Sequence, residues 1–297
     1  MQRVDGIPVL SFSDVLKTFG ELQVLKGVTF SVAPGELLVL LGPNGAGKST
    51  AMSLATGLGH ATSGEVQVFG YAAGSLAARS HFAFVPQDNS FPQHATARQI
   101  LEFMAAHALN PERVSKVIED FALSAFIDRP VHNLSGGQKR LLAIAGAFVR
   151  NLRFVIMDEP TVGLDVDVRR RLFARWKAFA AQGGTILMTT HHLSEAEELA
   201  TRVVVLNGGR VVHSDSPAEI KRRFGVKRIS FRSAASPPSE VAAHLNESTG
   251  LWTVDSKNPE LTLKHVVNWG EAREIEVMPL PLEEVFQRVA EGQTEWV

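Results

Sequence analysis

The segment Gly42–Thr50 reads Gly-Pro-Asn-Gly-Ala-Gly-Lys-Ser-Thr. A glycine, four residues and then Gly-Lys-Ser make the pattern that cradles phosphate groups. Glycines at 42, 45 and 47 let the backbone curl until several N–H groups point inward at phosphate oxygens. Pro43, Asn44 and Ala46 complete the loop. A helix starting there adds its N-terminal dipole. Lys48 puts a cation on the β- and γ-phosphates, the Ser49 hydroxyl is a hard oxygen ligand for Mg²⁺, and Thr50 lies in line for the α-phosphate.

A second chemical motif is Phe154–Pro160, Phe-Val-Ile-Met-Asp-Glu-Pro, an apolar run ending in two carboxylates. Asp158 at the strand end can hold Mg²⁺ opposite Ser49, directly or through water. Side chains alternate along a strand, so Glu159 points elsewhere and is suited to polarise a water for attack on the γ-phosphate.

Both motifs need buried strands to hold them. Leu37–Leu41, Phe154–Met157 and Thr185–Met188 are apolar almost throughout, as strands of a parallel sheet covered on both faces are. Short apolar runs alternate with amphipathic stretches, which reads as α/β. Val203–Leu206 and Arg210–His213 flank Asn-Gly-Gly, a hairpin signal. From about residue 94 to 150 the period turns helical. Thr96 with Gln99 forms a capping box for a helix through Leu109. Asn110-Pro111 starts another, with Val114, Val117, Ile118 and Phe121 on one face.

Leu134–Gln138, Leu-Ser-Gly-Gly-Gln, lies between the two phosphate motifs, just before a helical stretch and the Asp-Glu strand. Ser135 can cap that helix, and Gly136 and Gly137 allow close backbone approach, making a second anion site at a helix start. In this order the motifs resemble the nucleotide-binding subunit of ABC transporters, whose signature is this pentapeptide. The resemblance covers about residues 9–225. It implies an α/β P-loop NTPase fold of ABC type, with a mixed core sheet, an N-terminal antiparallel part and a helical insertion. It also implies ATP and Mg²⁺ as ligands. Ser135, Gly136, Gly137 and Gln138 then serve the ATP held by a partner copy's P-loop. Two copies, or this chain with a paralogous subunit, close head to tail.

Other positions match the family one by one. Gln87, in Phe-Val-Pro-Gln-Asp, resembles the glutamine that senses Mg²⁺ and water and links to the membrane subunit. Asp165, in Gly-Leu-Asp, resembles the aspartate that communicates across the dimer. His191 follows the run Thr185–Thr190 and resembles the switch histidine that bridges γ-phosphate and water. His192 competes for that role, and the family motif favours the histidine directly after the threonine-ended strand. Ser194 with Glu197 reads as a capping box for the next helix. Phe19 stands where the family stacks an aromatic on adenine, with Val24 nearby.

The whole chain has 297 residues, 45% hydrophobic, with 30 Lys and Arg against 31 Asp and Glu. A formal net charge of −1 argues against a coat for nucleic acid, and no nucleic-acid partner is expected. With no cysteine, disulfides and thiolate zinc sites are excluded. No apolar run is long enough for a signal peptide or a membrane span. The resemblance therefore places the chain in the cytoplasm, peripheral to the membrane, working with separate transmembrane permease subunits.

Residues 1–225 read as the ATP-binding domain and 226–297 as a small α+β appendage. Ser216-Pro217 opens a helix that stops near Gly225. In the appendage Ser233–Ser239 is a loop by composition. Arg228–Arg232 and Leu261–Val267 alternate like strands, and Pro281–Ala290 reads as a final helix. Pro281–Phe286 resembles the end of the drug-exporter branch and favours export over import. A third reading is a soluble ABC protein of DNA repair or translation. Such relatives carry two cassettes, long coiled coils or cysteine zinc sites, and this chain has one P-loop, no long heptad run and no cysteine.

Overall fold

The computed structural model describes residues 7–106, 112–246 and 249–280 together with Glu284, with backbone alone at 112 and 221–224. The chain folds as two compact units, Met1–Ser216 and Pro217–Val297.

The first unit opens with a long antiparallel hairpin, β1 (Leu10–Phe19) and β2 (Leu22–Val32), followed by the central strand β3 (Leu37–Leu41). The phosphate-loop segment leads into α1 (Lys48–Thr56). The chain then returns to the first sheet as β4 (Ser63–Val68) and β5 (Tyr71–Ala72), giving the antiparallel order β2-β1-β4-β5. A short helix α2 (Leu76–Arg79) precedes β6 (Phe82–Val85). The helical stretch holds α3 (Ala97–Ala105), α4 (Glu112–Asp120) and α5 (Gly136–Gly146). After it come β7 (Phe154–Met157), α6 (Val166–Ala181), β8 (Thr185–Thr190), α7 (Leu193–Leu199), β9 (Arg202–Asn207) and β10 (Arg210–Asp215).

The second sheet has the order β10-β9-β3-β8-β7-β6. All its pairings are parallel except β10 with β9. Its four central strands show why they read as unbroken apolar runs. Leu38, Leu40, Ile156, Leu187 and Val204 pack on one face with Met52 and Leu54 of α1 and with Leu10 and Phe12 of the first sheet. Their neighbours Leu37, Val39, Val155, Met157, Ile186 and Val203 are equally buried, on the other face. The tips of β3, β7 and β8 end on the same side of this sheet, because parallel strands bring their C-terminal ends together.

Several local expectations hold. Thr96 and Gln99 form the reciprocal capping box of α3, and Val114, Val117, Ile118 and Phe121 are buried along α4 and just beyond it. Helix α3 ends at Ala105 with Ala106 as its C-cap, short of the expected Leu109, and the Asn110-Pro111 start lies outside the described residues. The β9–β10 hairpin turns through Gly208 and Gly209, both at positive φ (53° and 80°), the two-residue turn that matches strand twist. One expectation fails here. His192, not Ser194, is the N-cap residue of α7, and it makes no side-chain cap bond. Ser194 already lies inside the helix, because β8 runs to Thr190 and leaves only two residues before the first turn.

The second unit begins with α8 (Pro217–Phe224), the helix that the sequence reading gave to the ATP-binding domain. It continues as β11 (Lys227–Arg232), β12 (His244–Asn246), β13 (Leu251–Ser256), α9 (Pro259–Trp269) and β14 (Arg273–Pro279). Its sheet is antiparallel, in the order β12-β13-β11-β14. Ile229, Phe231, Val241, Val254 and Val266 form its core. Leu261–Val267 is therefore helix, not strand. Asn258 caps Leu261 N–H, Pro259 occupies the first turn, and Gly270 ends the helix at φ 80°. Those start and stop signals outweigh four alternating residues, and Leu261 and Val267 face solvent. The Pro281–Ala290 helix and the export-branch tail match lie outside the described residues, apart from Glu284. Arg228 grips Asp255 through two hydrogen bonds of 2.7 and 2.8 Å, which raises its pKa further above the usual arginine value.

Candidate functional site

The phosphate loop runs from the tip of β3 into α1, and its shape depends on two glycines. A Cβ on Gly42 would sit 2.2 Å from the Leu206 carbonyl oxygen. Gly47 caps α1 at φ 103°, and a Cβ there would meet Leu25 Cδ2 at 2.7 Å and the Val24 carbonyl at 3.3 Å. Val24 is thus brought against the loop. Lys48 is buried at 5% exposure, and its Nζ donates to the carbonyls of Gly42 and Pro43 at 2.9 and 3.0 Å. Asn44, Gly45 and Ser49 are exposed, Thr50 is half-buried and Ala46 is buried. The loop thus holds its lysine inside while its rim stays open.

The same lysine reaches the acidic motif. Lys48 Nζ lies 3.6 Å from Glu159 Oε1, and His191 Nδ1 lies 3.4 Å from that same oxygen. Asp158, at 5% exposure, accepts from Thr189 Oγ1 at 2.6 Å, and Thr189 Oγ1 accepts in turn from Glu159 N–H at 2.8 Å. One threonine on β8 therefore orients both carboxylate residues at the end of β7. Glu159 sits at φ 44°, a left-handed conformation that costs a non-glycine residue on the order of 1–3 kcal/mol.

Both backbone polar groups of Glu159 are pinned, the N–H by Thr189 and the carbonyl by Arg140 at 2.7 Å. Arg140, on α5, also donates to the carbonyls of Asp158 (2.7 Å), Pro160 (3.0 Å), Pro86 (2.5 Å) and Gln87 (2.8 Å). One buried guanidinium thus ties the Gln87 loop to the Asp158-Glu159 turn. Burial makes Arg140 less basic than usual, against the opposing charges of Asp158, Asp88 and Glu159. Sequence reasoning passed over Arg140 and Thr189. The signal for Arg140 was present: an arginine opening the otherwise apolar run Leu141–Ala147 must find buried acceptors.

The remaining candidates fall into two groups. His192 stands beside His191, ring centroids 4.0 Å apart, and its backbone N–H caps onto Thr190 Oγ1 at 3.0 Å. Desolvation and then the neighbouring His191 hold its pKa below the ordinary imidazole value. Of the two histidines, His191 is the one that contacts Glu159. Gln87 lends its carbonyl to Arg140, while its side chain is exposed and, among the described residues, does not hydrogen-bond to Asp158 or Glu159. Ser135 caps α5 in a reciprocal box with Gln138, at 3.2 and 3.0 Å. Gly137 lies close under Gly163, whose carbonyl would be 3.3 Å from an added Cβ. Asp165 caps α6 by accepting from Val168 N–H at 2.8 Å. Phe19, 56% exposed, carries the Lys17 ammonium 4.6 Å over its ring. Among the described residues no hydrogen bond or ion pair joins Phe19, the Ser135–Gln138 helix start or Asp165 to the phosphate loop.

The donor set fits a nucleotide with Mg²⁺. The set comprises a curled glycine loop at a helix start, a buried lysine 3.6 Å from Glu159, an exposed serine next to that lysine and a buried aspartate at the tip of β7. None of the helices among the described residues is long and apolar enough to cross a membrane.

Residues 25–162 match the family described as "ABC transporter". The Nod factor export ATP-binding protein I of Rhizobium etli is 37% identical over 218 residues, covering 71% of this chain and 69% of the relative. The protein of the same name from Paraburkholderia xenovorans is 32% identical over 296 residues, covering 94% and 96%. Among solved structures, an ATP-binding subunit of an ABC transporter matches with a TM-score of 0.67 at 30% identity, covering 73% of this chain and 93% of that one. A bacterial Atm1-family ABC exporter with ATP bound matches at 0.66 and 25% identity, over 74% of this chain and 40% of that one.

Proposed function

This chain belongs to the ATP-binding subunits of ABC transporters, enzymes that hydrolyse ATP to power transport, and we propose that it drives export through separate membrane-spanning subunits. The observation that carries the site assignment is the convergence of Lys48 and His191 on one oxygen of Glu159, at 3.6 and 3.4 Å.

In this reading the phosphate loop Gly42–Thr50 binds the triphosphate, with Lys48 on the β- and γ-phosphates. Ser49, Asp158 and Gln87 would hold Mg²⁺, which would supply charge neutralisation to the phosphates. Phe19 and Val24 cover the base. Glu159 orients the attacking water and takes its proton, and His191 holds that water against the γ-phosphate. Ser135, Gly136, Gly137 and Gln138 of a second copy close the other side of the nucleotide, and Asp165 meets that copy across the interface. A paralogous ATPase subunit serves equally well as the second copy. Closure moves the Gln87 loop and the helical stretch against a permease subunit, so the protein acts at the cytoplasmic face of the membrane.

Support for export comes from the relatives, which are named for export of Nod factor. The cargo of this chain is set by its membrane subunits. Domain boundaries at 225/226 are part of the same reading, with residues 1–225 as the catalytic domain.

Glu159→Gln tests the assignment. The variant keeps ATP binding and pairs into an ATP-loaded dimer, while turnover falls by ~10²–10⁴-fold. Single-turnover hydrolysis and size-exclusion light scattering measure both. Full turnover by this variant would remove Glu159 from its role.

A further inference from the structure

Glu195, in the first turn of α7, is 2% exposed and is absent from the chemistry above. Its Oε2 accepts a 2.6 Å hydrogen bond from Thr190 Oγ1. Its Oε1 is buried and, among the described residues, has no hydrogen-bond partner. Arg169 Nη1 stands 3.6 Å from that oxygen, just beyond hydrogen-bond reach. A buried carboxylate oxygen without a donor is unfavourable, so a small approach of Arg169 gains a charge-assisted bond.

The two ends of this contact lie at informative places. Thr190 is the last residue of β8. Its hydroxyl receives the His192 N–H, its carbonyl receives Gly42 N–H at 3.4 Å, and His191 follows it directly. Glu195 therefore anchors the residue that joins the phosphate loop to the histidine touching Glu159. Arg169 lies one turn into α6, its N–H bonded to the carbonyl of Asp165, which caps that helix. Val162 and Val166 around the cap are 50% and 60% exposed, an apolar rim facing solvent.

We propose that Arg169 and Glu195 form a positioning pair that sets the place of His191 according to the state of the α6 start. The proposal rests on the reading of Asp165 as a contact to a second copy. When that copy covers Asp165, Val162 and Val166, α6 shifts and Arg169 closes on Glu195 Oε1. Thr190 is then held from both sides, and His191 is fixed against Glu159 and the attacking water. Neither Arg169 nor Glu195 touches the nucleotide.

Steady-state ATPase assays on the full chain test this, with Glu195→Gln, Arg169→Ala, Arg169→Lys and the double variant Glu195→Gln/Arg169→Ala. Glutamine keeps an acceptor for Thr190 and loses the charge that attracts Arg169. Each of Glu195→Gln and Arg169→Ala lowers kcat about tenfold or more with the KM for ATP within about twofold of wild type, as a misplaced catalytic group does. The double variant is no slower than either single one, and Arg169→Lys recovers part of the loss. Arg169 is 37% exposed at its side chain, so its alanine variant stays foldable if Glu195→Gln does not. Unchanged kcat in Arg169→Ala, losses that multiply in the double variant, or an effect on KM alone overturns the pair. A second readout needs no turnover: in the dimer loaded with a non-hydrolysable ATP analogue the ¹⁵N imidazole signal of His191 moves in Arg169→Ala, and a signal unmoved in that state also overturns the pair. A wild-type chain that hydrolyses no ATP sinks the proposed function instead, while the imidazole signal still decides the pair.

Discussion

Glu159 and Arg140 show how single residues are held in place by their backbone surroundings. Glu159 is held in a left-handed conformation that its own side chain does not favour. Thr189 and Arg140 hold it there through its N–H and its carbonyl. Lysine at position 140 keeps the charge but cannot serve five carbonyls that lie in different directions. Arg140→Lys is therefore expected to lower kcat about tenfold or more while ATP affinity changes little, checked by ATPase assay and fluorescent-nucleotide titration. Arg140→Ala leaves buried carbonyls without a donor and costs on the order of 3 kcal/mol, checked by denaturant unfolding. An arginine opening the apolar run Leu141–Ala147 says that buried acceptors must exist, but not which ones they are. The five acceptors come from Pro86, Gln87, Asp158, Glu159 and Pro160, on two separate loops that only the folded sheet brings together.

Among the elements, the β9–β10 hairpin does more than end the sheet. Gly209 N–H donates to the Ala46 carbonyl of the phosphate loop at 3.2 Å, and Lys26 N–H donates to the Gly209 carbonyl at 2.8 Å. A Cβ on Gly209 would stand 2.2 Å from the Val24 carbonyl oxygen, at a φ of 80° that alanine avoids. The turn thus clamps the loop against the strand that carries Val24. Gly209→Ala is expected to destabilise the protein by ~1–3 kcal/mol and to weaken ATP binding, whereas Gly208→Ala, with open space around it, costs less. Thermal unfolding with and without ATP separates the two effects. The hairpin itself was legible as Asn-Gly-Gly between apolar runs, but its contact with Ala46, Lys26 and Val24 far earlier in the chain was not. At α9 the lesson runs the other way. Four alternating residues suggested a strand, while the stronger signals, Asn258-Pro259 at one end and Gly270 at the other, were already in the sequence.

For the whole molecule, the separation of the two glycine-rich motifs is the decisive feature. Lys48 and Glu159 meet within the first unit, while the Ser135–Gln138 helix start has no hydrogen bond to the phosphate loop among the described residues. Under the proposed function this exposed helix start serves the nucleotide of a second copy. In mixed dimers, Lys48→Ala and Ser135→Ala subunits, each inactive alone, are expected to restore one composite site of two and about half of wild-type turnover per dimer, in line with independent sites. Mixing experiments at fixed total protein measure it, and no recovery at any ratio would speak against a nucleotide shared between copies.

The linear order of residues was enough to read the phosphate loop, the Asp158-Glu159 strand, the Leu134–Gln138 motif and the buried parallel sheet. Each is a local pattern whose chemistry follows from backbone freedom, charge and the two-residue period of a strand. Folding decided what those patterns share. Three strand tips end together, so Lys48 at the start of α1, Thr189 on β8 and His191 just beyond it converge on the two carboxylates at the end of β7. The pinning of Glu159 by Arg140, the clamp by Gly209 and the half-made contact between Arg169 and Glu195 arise the same way. They join residues 19 to 183 positions apart, and no local rule of sequence encodes such a distance.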